Sequence, residues 1–100
     1  MSQTRPLRVL IVAPSQGNYG GLEAFVLALG ESLRDWPEFS ARLCFKLVQG
    51  AKFNEELRAR CEKAGVPFVV VARGSHDLYK NIRWADVVHA ENPSPDVALG

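Results

Sequence analysis

The sequence predicts an α/β protein with an open parallel sheet, because short apolar runs alternate with stretches of helical periodicity. The apolar runs are rich in β-branched residues, which is typical of strands that are covered on both faces. The connections between successive elements are short, so the strands are expected to pair in parallel through right-handed crossovers. A chain of 100 residues, 47% of them hydrophobic, suffices for one domain, which we predict over residues 1–100.

The first unit is a strand followed by a helix. The strand is predicted over residues 8–14 (RVLIVAP), a continuous apolar run that ends in proline. After a loop that contains glycines, apolar residues recur with the spacing of one helical face, and the helix is expected to end before Pro37. The residues of that face are Leu22, Phe25, Val26, Leu29 and Leu33.

The second strand has a different pattern. Over residues 41–48, apolar residues alternate with Arg42, Cys44 and Lys46. Because successive side chains of a strand point to opposite faces, this alternation indicates one poorly covered face. We therefore expect the second strand to lie toward a margin of the sheet.

A second amphipathic helix is predicted from the spacing of Phe53, Leu57, Cys61 and Ala64. Asn54 is its expected N-cap, and Gly65 follows its end. The remaining predicted elements are an apolar strand over residues 68–72, a short helix over residues 76–84 and a fourth strand over residues 85–90.

The end of the sequence predicts that the fold continues. The last residues read PSPDVALG, where Asp96 is expected to cap a further helix. A sheet that stops at the fourth strand would leave that strand with a bare edge. We therefore expect a fold truncated after the fourth strand, from the N-terminal part of a longer two-domain protein. We also expect the isolated chain to self-associate through this margin.

A glycine pair stands directly before the first helix, in the stretch NYGGLEAFVLALGESL. In open α/β sheets, phosphate groups bind where the first strand leads into the positive end of the next helix. Without Cβ atoms, Gly20 and Gly21 let a ligand oxygen approach the backbone closely. Alternatively, the glycines only turn the chain and let the helix pack on the sheet. If Gly20 is the N-cap, the Glu23 carboxylate can reach back to the Gly20 N–H.

Several other functions are disfavoured by the motifs that the sequence lacks. It has no GxGxxG, no acidic residue after the second strand to hold a ribose, and no GxxxxGK[ST]. Cys44 and Cys61 are isolated, so neither a metal site nor a disulfide is indicated, and we expect both to be reduced and buried. The formal charge of +1 and the scattered basic residues do not indicate nucleic-acid binding.

Three segments together resemble the N-terminal domain of the family 4 retaining glycosyltransferases: RVLIVAP, NYGGLEAFVLALGESL and ADVVHAENP. These enzymes have the GT-B fold of two facing Rossmann-like domains. The most specific segment is Gly20, Gly21 and Glu23 ahead of an apolar helix. The next most specific is the strand that ends in Asp86-Val87-Val88-His89. The resemblance covers most of the chain.

The resemblance implies a nucleotide-sugar donor, a UDP- or GDP-sugar, held mostly by a C-terminal donor-binding domain that is not part of this sequence. This half would supply the acceptor side of the cleft, for a sugar or a glycolipid. The glycine pair would face the donor diphosphate, with Tyr19 and Asn92 among the binding residues. The fragment is expected to hold no cofactor and to be inactive alone, since catalysis needs both halves of the cleft.

The resemblance also implies two candidate catalytic residues. Where the family often has His-x-His, this chain has His89-Ala90-Glu91, so Glu91 replaces the histidine that lies beside the transferred sugar in relatives. A carboxylate there can accept hydrogen bonds from sugar hydroxyls or take a proton from the acceptor. Alternatively, His89 only bonds to backbone at the end of a buried strand. Asn92 and the proline turn after it shape the acceptor pocket or cap the next helix.

The predicted location is the cytoplasm, because the first eight residues are polar and do not resemble a secretory signal. Residues 76–84 combine basic and aromatic residues, which in the full-length protein would either touch a membrane surface or form a solvated helix face. A second function remains open beside the enzyme. The chain would then be a small Rossmann-like module that binds a phosphate-bearing metabolite without catalysis.

Overall fold

The computed structural model describes residues 5–15, 20–48, 50–72 and 74–90. Within them the chain forms a four-stranded, all-parallel sheet with helices on both faces, as the sequence predicts. In chain order the elements are β1 (Leu7–Ser15), α1 (Gly21–Arg34), β2 (Phe39–Leu47), α2 (Glu55–Ala64), β3 (Phe68–Ala72), α3 (His76–Trp84) and β4 (Val87–Ala90).

The strand order is β3-β2-β1-β4, so β1 lies inside the sheet between β2 and β4. The chain first moves from β1 through β2 to β3, and α3 then carries it back across the sheet to the other side of β1. This order is that of the first part of a Rossmann-like fold. The long apolar β1 is therefore covered on both faces and paired along both edges.

Two apolar clusters hold the helices on the sheet. On one face, Ile11 and Phe45 pack with Val26 of α1 and Leu57 of α2. On the other face, Leu10, Val12 and Cys44 pack with Leu78 of α3. The helices α1 and α2 thus cover one side, and α3 covers the opposite side.

The prediction for β2 is wrong, because β2 is an inner strand and both of its faces are covered. Cys44 is fully buried and Lys46 is 3% exposed. The Arg42 guanidinium lies 3.8 Å from the centre of the Trp84 ring and donates a 2.8 Å hydrogen bond to Asn81 Oδ1. The helix α3 therefore covers the face of β2 that carries Arg42, Cys44 and Lys46, which the sequence pattern predicts to be poorly covered.

The predicted helix caps are confirmed for α2. The Asn54 side chain accepts a 3.0 Å hydrogen bond from the Leu57 N–H, and Gly65 ends the helix in the left-handed conformation, with φ of 71°. A cap that the sequence analysis did not name is Ser75, whose Oγ accepts a 3.2 Å bond from the Leu78 N–H at the start of α3.

One residue of the predicted apolar face of α1 does not reach the core. Phe25 is 54% exposed, whereas Val26 beside it is fully buried. Phe25 lies on the outer side of the helix, because the buried face is formed by other residues. These are Glu23, Val26, Leu27 and Gly30.

Candidate functional site

The candidate site lies at the carboxyl ends of β1 and β4. These two strands are neighbours in the sheet. From β1 the chain continues to one side, through β2 to β3, and β4 then lies on the other side of β1. Such a reversal of strand order opens a crevice beyond the strand ends, and ligands of open α/β sheets bind there. Five residues separate the end of β1 from the start of α1, so the N-terminus of α1 belongs to the same edge of the sheet.

Among the described residues, neither the backbone nor the packing requires a glycine at position 20 or 21. Gly20 is the N-cap, with an extended backbone (φ −130°, ψ −165°) that any residue can adopt. A Cβ atom on Gly20 would lie 3.6 Å from Glu23 Oε1, an ordinary contact. At Gly21, an added Cβ would meet no described atom within 4 Å. Within the described part of the chain, the glycine pair therefore leaves an open approach to the backbone.

Gly30 in the middle of α1 shows what a packing glycine looks like in this protein. A Cβ atom there would lie 2.9 Å from Leu43 Cδ2 and 3.0 Å from Val66 Cγ1, and both neighbours are buried. Gly30 is thus needed for the close approach of α1 to the sheet. The alternative that the glycine pair serves packing fits Gly30 and does not fit Gly21.

The first turn of α1 presents three backbone N–H groups that the helix itself does not use. The first intrahelical bond runs from the Ala24 N–H to the Gly20 carbonyl, at 3.0 Å. The N–H groups of Gly21, Leu22 and Glu23 precede it and have no acceptor within the helix. Together with the positive end of the helix dipole, they can bind an anion.

The fourth N–H group at this end, that of Gly20, is already bonded to the Glu23 side chain. Glu23 Oε1 accepts a 3.2 Å hydrogen bond from the Gly20 N–H, which confirms the contact predicted from the spacing. The side chain is 7% exposed, so this carboxylate is held against the helix start. An anion at the first turn must therefore bind the three following N–H groups, and its attraction to the helix is reduced by the neighbouring negative charge.

Ser15 is a polar residue of this edge that the sequence analysis missed. It is the last residue of β1 and fully buried, and its Oγ has no hydrogen-bond partner among the described residues. Side chains alternate along β1, and Ile11 and Ala13 face α1, so Ser15 lies on the α1 face of the strand. The signal available in the sequence was a hydroxyl directly after an apolar run.

His89 lies on the neighbouring strand, and its surroundings differ from the prediction. Its Cα pairs with Ile11, four positions before the last residue of β1. The side chain is exposed, because β4 is the edge strand of the described sheet, so His89 is not at the end of a buried strand. Tyr19, Glu91 and Asn92 lie outside the described residues. The structure therefore brings together Gly20, Gly21 and Glu23, and places His89 on the strand next to β1.

Asp86 lies at the opposite, amino edge of the sheet. It accepts hydrogen bonds from the Arg5 guanidinium at 2.7 and 2.9 Å and from the Arg8 N–H at 2.9 Å. The bond from Arg5, followed by the bond from Arg8, holds the pKa of the Asp86 carboxyl well below its ordinary value. In the motif Asp86-Val87-Val88-His89, the aspartate thus ties β4 to β1 and takes no part in the candidate site.

In the described ranges, neither the two cysteines nor a cluster of His, Cys, Asp and Glu side chains forms a second site. Both cysteines are buried and unpaired, and burial raises the pKa of Cys44 to about 12 and of Cys61 to about 11. Among the described residues, no group of three or more His, Cys, Asp or Glu side chains is placed to hold a metal ion. No helix in the described ranges is long and apolar enough to cross a membrane.

Comparison of the chain with known families, curated proteins and solved structures found no match in any of the three.

Proposed function

We propose that this chain is the acceptor-side domain of a nucleotide-sugar-dependent retaining glycosyltransferase, in which the first turn of α1 binds the donor diphosphate. The observation that carries the proposal is the glycine pair at the strand-order reversal. Within the described residues, Gly21 is required neither by its backbone conformation nor by a close neighbour. A ligand that approaches the main chain gives a physical reason for a glycine at that position.

The chemistry of sugar transfer suits this arrangement. Cleavage of the bond between sugar and phosphate builds negative charge on the leaving phosphate. Backbone N–H groups fixed in a helix stabilise that charge without rearranging. Glu23 holds the Gly20 N–H, which fixes the helix start and orients the N–H groups that follow. In this proposal, Glu91 accepts hydrogen bonds from sugar hydroxyls or a proton from the acceptor, and His89 lies on the strand that leads to it.

The second candidate function is a module that binds a phosphate-bearing metabolite without catalysis. It is favoured by the phosphate seat, our name for the three backbone N–H groups of the first turn of α1 that have no acceptor within the helix. All three donors belong to residues 21–23 of this chain. Such a seat needs no second domain to bind phosphate. The two proposals therefore share the ligand group and differ in whether a sugar is transferred.

The shared part is tested by titrating the ¹⁵N-labelled chain with inorganic phosphate, a UDP-sugar and a GDP-sugar. We expect the amide signals of Gly21, Leu22 and Glu23 to shift with all three ligands. Gly21→Val should abolish these shifts, because its side chain fills the approach. Ala28→Val places the same valine side chain at an exposed position of the same helix and should leave them unchanged. Absence of shifts in the wild-type chain, or their persistence in Gly21→Val, contradicts the phosphate seat.

The two functions are separated by an assay of the full-length protein with a labelled nucleotide sugar. Transfer of the label by the full-length protein, and not by the 100-residue chain, supports the glycosyltransferase. Phosphate binding without transfer in either form supports the module. Turnover by the 100-residue chain alone contradicts the view that the donor half of the cleft is needed.

A further inference from the structure

The strand β3 forms one edge of the described sheet, and its five residues carry none of the charges, prolines or bulges that commonly protect an edge. Edge strands are commonly blocked by charged residues, prolines or bulges, which prevent pairing with another chain. The five residues of β3 are FVVVA, with no charge and no proline. They pair regularly with β2 along the whole strand. This inference depends on β3 and the neighbouring α3, and it holds whether or not phosphate binds at the start of α1.

The hydrogen bonds to β2 determine which backbone groups of β3 face outward. The Leu43 N–H donates to the Pro67 carbonyl at 2.9 Å, and Leu43 is in register with Phe68. In a parallel ladder, the backbone groups of alternate residues point to opposite sides. Val69 and Val71 therefore bond to β2. The residues whose N–H and C=O groups face away from the sheet are Phe68, Val70 and Ala72.

A groove of about 440 Å³ lies between α1 and α2, away from β3. A second groove runs along β3, and its residues indicate more clearly which partner would bind there. It measures about 320 Å³ and runs between the strand and α3, where Asp77 and Lys80 line it. The two side chains are exposed, lie one helical turn apart and carry opposite charges. A partner with one sign of charge would meet a like charge at one of them. A second copy related by a two-fold axis instead brings each Asp77 toward a Lys80.

We propose that β3 pairs antiparallel with β3 of a second copy of this chain, around a two-fold axis at Val70. Each Val70 then exchanges both of its outward hydrogen bonds with its symmetry mate, and Phe68 pairs with Ala72 of the partner. The two four-stranded sheets join into one continuous sheet, and the two α3 helices flank the axis. The interface is isologous, so association stops at the dimer.

The first test measures the mass of the chain by sedimentation equilibrium over a range of concentrations. We expect the weight-average mass to rise from 11.0 kDa toward twice that value. Val70→Pro should remove the rise, because it deletes an outward N–H and leaves the bonds between β2 and β3 intact. Val70→Thr keeps both the N–H and the branched side chain, and should associate like the wild type. A wild-type mass that stays at the monomer value, or a Val70→Pro dimer, overturns the proposal.

The second test locates the interface with a short bismaleimide crosslinker. In a self-paired position of this kind the two Cα atoms lie about 5.5 Å apart, so Val70→Cys should form a covalent dimer. The native cysteines do not interfere, because both are buried with raised pKa values. Val87→Cys places a thiol on β4, the margin through which the sequence pattern predicts association, where Val87 is 44% exposed. With β3 as the interface, this variant should form no covalent dimer. A covalent dimer of Val87→Cys, or none of Val70→Cys, assigns association to another surface and overturns the proposal.

Discussion

Replacing two glycines of α1 by alanine separates a packing role from an open approach. At Gly30, the new methyl group would lie 2.9 Å from Leu43 Cδ2 and 3.0 Å from Val66 Cγ1. Both distances are shorter than ordinary carbon contacts, and both neighbours belong to the buried core. At Gly21, the same methyl group would meet no described atom within 4 Å. The two substitutions therefore add the same atoms to the same helix in opposite environments.

The expected magnitudes follow from these contacts. Forcing an extra methyl group into a filled core costs about 1–3 kcal/mol, while alanine is favoured over glycine inside a helix by about 1 kcal/mol. We expect Gly30→Ala to lower the free energy of unfolding by about 1 kcal/mol, the difference between these effects. In a domain of this size, that corresponds to a fall in Tm of roughly 4–8 °C. Gly21→Ala avoids the packing cost and is expected to leave Tm unchanged or slightly raised.

Thermal unfolding followed by circular dichroism measures both variants against the wild type. A fall in Tm for Gly21→Ala as large as that for Gly30→Ala would refute the reasoning. The glycine at position 21 would then have a structural role, and the proposed phosphate seat would lose the observation that carries it. A Gly30→Ala variant as stable as the wild type would show that Leu43 and Val66 move aside at no cost.

Three further predictions concern the cap, the ion pair and the thiols. Removing the Glu23 carboxylate in Glu23→Ala leaves the Gly20 N–H without its acceptor and should lower the free energy of unfolding by about 1 kcal/mol, measured by urea denaturation; Glu23→Gln, which keeps an acceptor oxygen, should lose less. The pKa of Asp86 is lowered by its arginine partners, so its contribution to stability is present above the unfolded pKa of about 4 and lost as the pH falls through the lower folded value. The Tm of the wild type should therefore fall more steeply than that of Asp86→Asn in acid, and parallel curves would contradict this. Burial keeps Cys44 and Cys61 as neutral thiols near pH 7, so a thiol reagent should modify them only at the rate of unfolding; fast labelling of the native chain would show that they are accessible.

The sequence was sufficient to predict the elements, because each has a strong periodic signal. Residues 8–14 form a continuous apolar run and were recognised as a buried strand, which the structure places inside the sheet. The caps at Asn54 and Gly65 depend on local hydrogen bonds and backbone angles, so neighbouring residues alone predict them.

Errors arose where distant residues decide the outcome. Lys46 is buried, and the guanidinium of Arg42 stacks on Trp84, which is remote in sequence, so no local pattern reveals that this face is covered. Phe25 has the spacing of a core residue, but the actual orientation of α1 turns it outward. The cover over β2 depends on the crossover of α3, and the exposure of Phe25 depends on how α1 is rotated on the sheet, so neither follows from a single segment.

At the candidate site, the contact between Glu23 and Gly20 was predicted correctly because it spans three residues of one helix. The buried hydroxyl of Ser15 was missed, since its burial depends on how the strands and helices meet. The exposure of His89 follows from the position of β4 at the sheet edge, which requires the complete topology. The proposed roles of Tyr19, Glu91 and Asn92 stay predictions.

The central position of β1 has a consequence for synthesis on the ribosome. This strand is made first and can pair with β2 as soon as that strand emerges, but its other neighbour, β4, is made last of the four. Until β4 has been made, one edge of the apolar strand β1 has no partner strand and can pair with other chains. A chain released before residue 87 should therefore recruit chaperones or proteases, whereas a released chain that includes β4 can pair that strand with β1.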